Sequence, residues 1–155
     1  DMEKFRYFML QDYLYLFDYA RVFALGVVKA RDPELMRVFA ANVDAILGGE
    51  MKIHRAYMKR LDITEAQVFS IKPALANLSY TNYMLSVAQT GGPMEIVASI
   101  LACSWSYAEI GQALAAIPGA ASLLRRVDPG LRLRGVRRHQ SGADRADGFA
   151  GGGRR

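Results

Sequence analysis

At 155 residues the chain has room for one compact domain and a tail, not for two substantial cores, and a content of just over half apolar residues excludes a disordered polymer. The net charge of +5 comes from 20 Lys and Arg against 15 Asp and Glu, but seven of the arginines and only Asp144 and Asp147 fall between Gly130 and Arg155. Asp1 to Pro129 is left with 13 of each sign, so it has no basic excess with which to track a phosphate backbone, and nucleic-acid binding through it is not expected.

Cys103 is the single cysteine, which rules out an intramolecular disulfide and points to a reducing compartment. No signal-peptide pattern opens the chain. No uncharged apolar run reaches the roughly 18 residues of a membrane span, so a cytoplasmic location without a membrane partner is expected.

Glu3 to Lys29 contains one Gly and no Pro, and Phe5, Phe8, Met9, Tyr15, Leu16 and Tyr19 recur at helical offsets, predicting a long and mostly buried first helix. Its opening residues already look helical without an N-cap signal, which suggests that an upstream helix is missing. Asp32-Pro33 supplies a cap and a first-turn proline for a second helix, carried on by Leu35, Met36, Phe39, Val43 and Ile46. Gly48-Gly49 either ends that helix or marks a tight approach; the renewed spacing of Met51, Ile53, Tyr57, Met58 and Leu61 favours one helix through to Arg60.

Thr64-Glu65-Ala66-Gln67 has the form of a capping box and places a short helix at Thr64 to Ser70. A helix from Ala74 to Gln89 follows the break at Lys72-Pro73. After Thr90-Gly91-Gly92-Pro93, the strongly apolar Met94 to Ile117 reads as a central, deeply packed helix. Pro118-Gly119 closes it, and Ala120 to Arg126 has room for one more helical turn. Gly130 to Arg155 is Arg- and Gly-rich without apolar periodicity, so it is expected to be disordered. The fold class is therefore all-α, with a helical domain over 1–129 and a tail over 130–155.

Cys103 and Tyr107 lie four apart and share a helix face, Tyr80 and Tyr83 lie three apart on the preceding helix, and Asp12, Tyr15 and Tyr19 form a stripe on the first. Polar atoms on three mainly apolar faces suit a pocket for a small aromatic ligand. Each has a plainer reading: a lone cysteine is usually a small buried hydrophobe, and tyrosines at helical spacing are usually packing groups. Asp12 is the more informative, because a carboxylate among aromatic neighbours needs a partner or a ligand. Glu50 and His54 share a face and fit a general acid/base element, half a metal site or a structural contact. The last is favoured, since the other histidine, His139, lies in the tail.

Four segments in order, Phe5 to Leu16 (FRYFMLQDYLYL), Glu50 to Tyr57, Ser79 to Met84 (SYTNYM) and Cys103 to Gly111 (CSWSYAEIG), together resemble the thiaminase II (TenA-type) family over about Phe5 to Pro129. The resemblance implies a fold like that of haem oxygenase, usually assembled as a homotetramer. It also implies hydrolysis of aminomethyl-pyrimidine, and often of thiamin, to hydroxymethyl-pyrimidine, with no cofactor or metal. By the same resemblance Cys103 matches the nucleophile and Asp12 the carboxylate that binds the ring's amino group and a ring nitrogen. Tyr15, Tyr80 and Tyr107 match the pocket lining; apart from the resemblance, Glu50, His54 and Glu109 are candidates for a structural or supporting role.

Family members continue with further helices carrying an acid/base glutamate and another pocket tyrosine, for which this sequence offers no match. A frame change or truncation near Pro129 is the expected cause. The competing expectations are a catalytically impaired relative serving as a pyrimidine-binding or regulatory module and, least favoured, a di-metal oxidase.

Overall fold

The computed structural model describes residues 1–117, and among them every regular element is helical. The predicted turn over Ala120 to Arg126 and the predicted disorder beyond Gly130 lie outside the described residues.

Helix α1 (Met2–Lys29) is the longest element and the one against which most of the others pack. Asp1 caps it by accepting a hydrogen bond from the Glu3 amide, which corrects the expectation that the start lacks a cap. Its buried face is Met9, Tyr13, Leu16, Ala20, Phe23 and Gly26, at the three-and-four spacing of a helix, with Val22 buried beside Phe23.

Asp32 then caps α2 (Pro33–Asp44) with its side chain on the Leu35 amide at 2.8 Å, as the sequence predicts. The close approach of α1 and α2 lies at Gly26, where a Cβ would sit 2.3 Å from the Phe39 ring. Gly48 and Gly49 make no such approach, since a Cβ on either would meet nothing nearer than 3.6 Å.

The run from Pro33 to Arg60 is continuous, as expected, but not uniformly α. Ala45–Glu50 forms a π-helical turn between α2 and α3 (Met51–Arg60). The buried residues record the extra residue: Phe39 and Ile46 are seven apart, Ile46 and Met51 five apart, and Met51, His54 and Met58 return to three and four. A π turn takes one residue more than an α turn, so it rotates the following stripe by about 100° relative to an uninterrupted helix. Ile53 is exposed as a result, and His54 is buried in its place.

Helix α4 (Glu65–Ser70) starts at the capping box, with both reciprocal bonds of Thr64 and Gln67 formed. Helix α5 (Leu75–Thr90) has no side-chain cap of its own; Gln11 of α1 accepts from the Ala74 amide at 2.7 Å instead. Asn77 completes the clamp by donating to the Gln11 carbonyl at 2.8 Å, so α5 is tied to α1 beside Asp12.

Helix α6 runs Pro93–Ala115. By contacts the chain divides into Asp1–Cys103 and Ser104–Arg155. In the first unit α6 buries Ile96, Ser99 and Ile100. From Ser104 on it exposes Trp105, Tyr107, Ile110 and Leu114, which corrects the expectation of a deeply packed last helix. Apolar composition states a preference for burial; it does not supply the neighbour that provides it. No helix among the described residues is long and apolar enough to cross a membrane.

Candidate active site

Asp12 sits on α1 between the buried Met9, Tyr13 and Leu16, with only 16% of its side chain exposed. A carboxylate so placed needs a charged or hydrogen-bonding partner. It finds His54, whose Nε2 lies 2.6 Å from its Oδ2, while the imidazole is itself only 11% exposed. The other ring nitrogen, Nδ1, lies 3.0 Å from the Glu50 backbone carbonyl. The sequence pairs His54 with the Glu50 side chain; the structure corrects this, giving His54 the Glu50 main chain and the carboxylate of Asp12. The π turn is the physical reason, because it brings position 54 onto the stripe that faces α1.

Burial by itself would lower the pKa of His54, but the bonds to Asp12 and to the Glu50 carbonyl, with the negative charge nearby, raise it above the ordinary histidine value. Glu50 is exposed by residue surface, yet enough protein surrounds its carboxyl for desolvation to raise its pKa; His54 opposes the rise and Asp12 adds to it.

One turn along α1 from Asp12, Tyr15 stacks on Tyr80 of α5, with ring centroids 6.2 Å apart and planes within 7°. Its other neighbour is Tyr19, 5.1 Å away. Ring contacts continue edge-on from Tyr19 to Phe23 and tilted from Phe23 to Phe39, so an aromatic ladder links the polar residues to the apolar α1–α2 contact. Tyr80 is held by a hydrogen bond from its hydroxyl to the Ser99 carbonyl at 3.0 Å, which joins α5 to α6.

Cys103, half-buried on α6, completes the cluster. Burial raises its thiol pKa, hydrogen bonds from the Tyr15 and Tyr19 phenols oppose the rise, and the negative charges of Asp12 and Glu50 are close enough to add to it. Tyr15 is shifted far upward, first by burial and then by Cys103. Tyr80 is raised by burial, with a hydrogen bond from the Cys103 backbone opposing. At neutral pH the resting state is therefore a thiol beside neutral phenols, a few side chains from a carboxylate paired with an imidazole.

The structure thus brings together Asp12, Tyr15, Tyr80, Cys103, His54 and Glu50. Tyr107 and Glu109 are exposed on the continuation of α6, and Tyr83 is 57% exposed. Sequence reasoning missed Tyr19 as a partner of the thiol, although its position on the Asp12-Tyr15 stripe was the available signal. It also missed Gln11, which carried no signal beyond being polar in an apolar segment. A separate surface recess of about 400 Å³ is lined by Arg55, Met58, Lys59, Asp62, Ile63, Thr64 and Glu65, none of them in this cluster.

Residues 1–123 match the model of the TENA/THI-4/PQQC family. Over 120 residues the chain is 51% identical to an aminopyrimidine aminohydrolase of Halalkalibacterium halodurans and 48% identical to one of Helicobacter pylori. These alignments cover 77% of this chain and 54% and 55% of theirs, so the chain spans about half the length of the curated relatives it matches. Among solved structures, it is similar to a TenA family transcription regulator from Silicibacter sp. TM1040, with a TM-score of 0.73 and 25% identity over 82% of this chain and 58% of that one. It is also similar to a TenA homologue from P. horikoshii, with a TM-score of 0.68 and 33% identity over 72% and 52%. The chain belongs to the TENA/THI-4/PQQC family.

Proposed function

We propose that the protein acts in the hydrolysis of 4-amino-5-aminomethyl-2-methylpyrimidine, and of thiamin, to hydroxymethyl-pyrimidine, with Cys103 as the nucleophile. The observation that carries the reading is the convergence of a thiol, two phenols and a paired carboxylate on one aromatic-lined cluster. The relatives named aminopyrimidine aminohydrolase support the choice of substrate class.

Asp12 provides the acceptor for the amino group and protonated ring nitrogen of an aminopyrimidine, leaving the ring to lie against the tyrosines. Cys103 rests protonated, so its proton must leave before the sulfur attacks. The phenols of Tyr15 and Tyr19 stabilise the thiolate through the hydrogen bonds that already lower its pKa against burial. The thiolate adds to a ring carbon, and the electrons displaced into the ring expel the amine from the methylene carbon while the thiol proton leaves with it as ammonia. Water then adds to the methylene carbon, its proton balances the departing thiolate, and the C–S bond breaks. Tyr107 and Glu109 belong to the same proposal as a lining residue and a supporting residue, as do a homotetrameric assembly, a cytoplasmic location and a domain spanning 1–129.

Cys103→Ala tests the reading. Pyrimidine release from the aminomethyl compound, followed by chromatography, is expected to fall by at least about 10³-fold while the far-ultraviolet circular dichroism is unchanged. Undiminished release by the variant overturns the nucleophile assignment. Pyrimidine binding without release by the unaltered chain makes it a binding module instead.

A further inference from the structure

The two partners of His54 are of one kind. The Glu50 backbone carbonyl accepts hydrogen bonds and cannot donate, and an ionised Asp12 carboxylate likewise only accepts. A neutral imidazole has one N–H and can satisfy only one of them. The arrangement is therefore matched by an imidazolium with both nitrogens protonated, which forms a charge-assisted bond to Asp12 and is itself oriented by the main chain at the end of the π turn. One carboxylate oxygen, Oδ2, is fixed in this way.

We propose that His54 is a positioning residue: in its protonated form it holds the Asp12 carboxylate in a single orientation for an aminopyrimidine edge. The inference rests on the ligand assignment under Proposed function and adds to it the group that prepares the binding carboxylate. Three titratable groups face the imidazole: Asp12 and Tyr13 from α1, the latter with its ring 6.4 Å away, and the Glu50 carboxyl from the π turn. As pH rises and His54 loses a proton, one of its two bonds must be given up, and Nδ1 or Nε2 is left as a lone pair facing another acceptor. Asp12 then loses either its partner or its fixed orientation.

The test is calorimetric titration of the full 155-residue chain with the aminomethyl-pyrimidine between pH 6 and 9, for the wild type, His54→Gln and His54→Phe. Loss of a hydrogen bond to a charged group predicts about 10- to 100-fold weaker binding by His54→Phe at pH 6, with His54→Gln intermediate because its amide still donates. The ratio between wild type and either variant is expected to shrink towards pH 9, which a purely structural role would not produce. Affinities within twofold of wild type, or a ratio constant with pH, overturn the proposal.

A wild-type chain that binds no aminopyrimidine overturns the underlying ligand reading instead. Nitrogen-15 NMR of the wild-type imidazoles decides the protonation state without any variant. His54 should show two protonated nitrogens at pH 7 and a titration midpoint that drops in Asp12→Asn, and a single protonated nitrogen at pH 7 overturns the imidazolium.

Discussion

The two halves of α1 solve different packing problems. Towards its C-terminus the helix is dry: Phe23 and Gly26 lie against Phe39, and the fit is tight enough that the glycine has no room for a methyl group. Around Asp12 and Tyr15 the same helix carries polar atoms, and each is satisfied by a partner from another element, His54 from α3 and Cys103 from α6. The aromatic ladder from Tyr80 to Phe39 runs between them. The contrast teaches that the polar half does not stand alone; it shares its helix with an apolar contact about two to four turns away.

The comparison is broken most severely at Phe39. Truncation to Ala removes a ring that is 2% exposed and is expected to cost about 3–5 kcal/mol, read as a lower denaturant midpoint with an unchanged slope. Gly26→Ala attacks the same contact by overfilling it, at about 1–3 kcal/mol, because the added methyl group falls on the Phe39 ring. That cost should largely vanish when Phe39→Ala is already present, since the two share one space; additive losses would show that the strain lies elsewhere.

The smallest of these effects belongs to the polar half. The folded state raises the pKa of His54, so the pair with Asp12 stabilises fully below about pH 6.5, the ordinary histidine value, and loses that contribution as pH climbs through the raised value. Glu50, also raised, weakens stability in the same direction from the ordinary carboxyl range upward, and Cys103 does so in the alkaline range. The gap in denaturant midpoint between wild type and His54→Gln should therefore narrow from pH 6 to pH 9. A gap that widens with pH would mean that His54 is neutral in the folded protein.

Much of the secondary structure is legible because its signals are local. Asp32-Pro33 and the Thr64–Gln67 box carry their caps within four residues, and the structure forms both. The Asp1 cap on α1 is equally local, with the Glu3 amide as its donor. The π turn leaves no compositional trace, since one added residue shifts the phase of a helix without changing which amino acids it contains.

The site is legible where spacing on one helix suffices, as with Asp12, Tyr15 and Tyr19. It is not legible where the partner lies 42 residues away, as with His54 and Asp12, because only tertiary packing brings those groups to 2.6 Å. Nor does an apolar run reveal how far it is covered: burial on α6 stops at Ile100 although the run of Leu101, Trp105, Ile110 and Leu114 continues.

The irregular turn at Ala45–Glu50 makes chain length, more than residue identity, the determinant of what the following helix presents. Gly48 and Gly49 touch nothing that a methyl group would disturb, so either accepts a substitution more readily than a deletion. Losing one residue would let the backbone recover ordinary i to i−4 bonding, a local gain in regularity, and would at the same time trade an imidazole for the aliphatic side chain of Ile53 on the inward side. Here the less regular backbone is the one that keeps the carboxylate on α1 supplied with its imidazole partner.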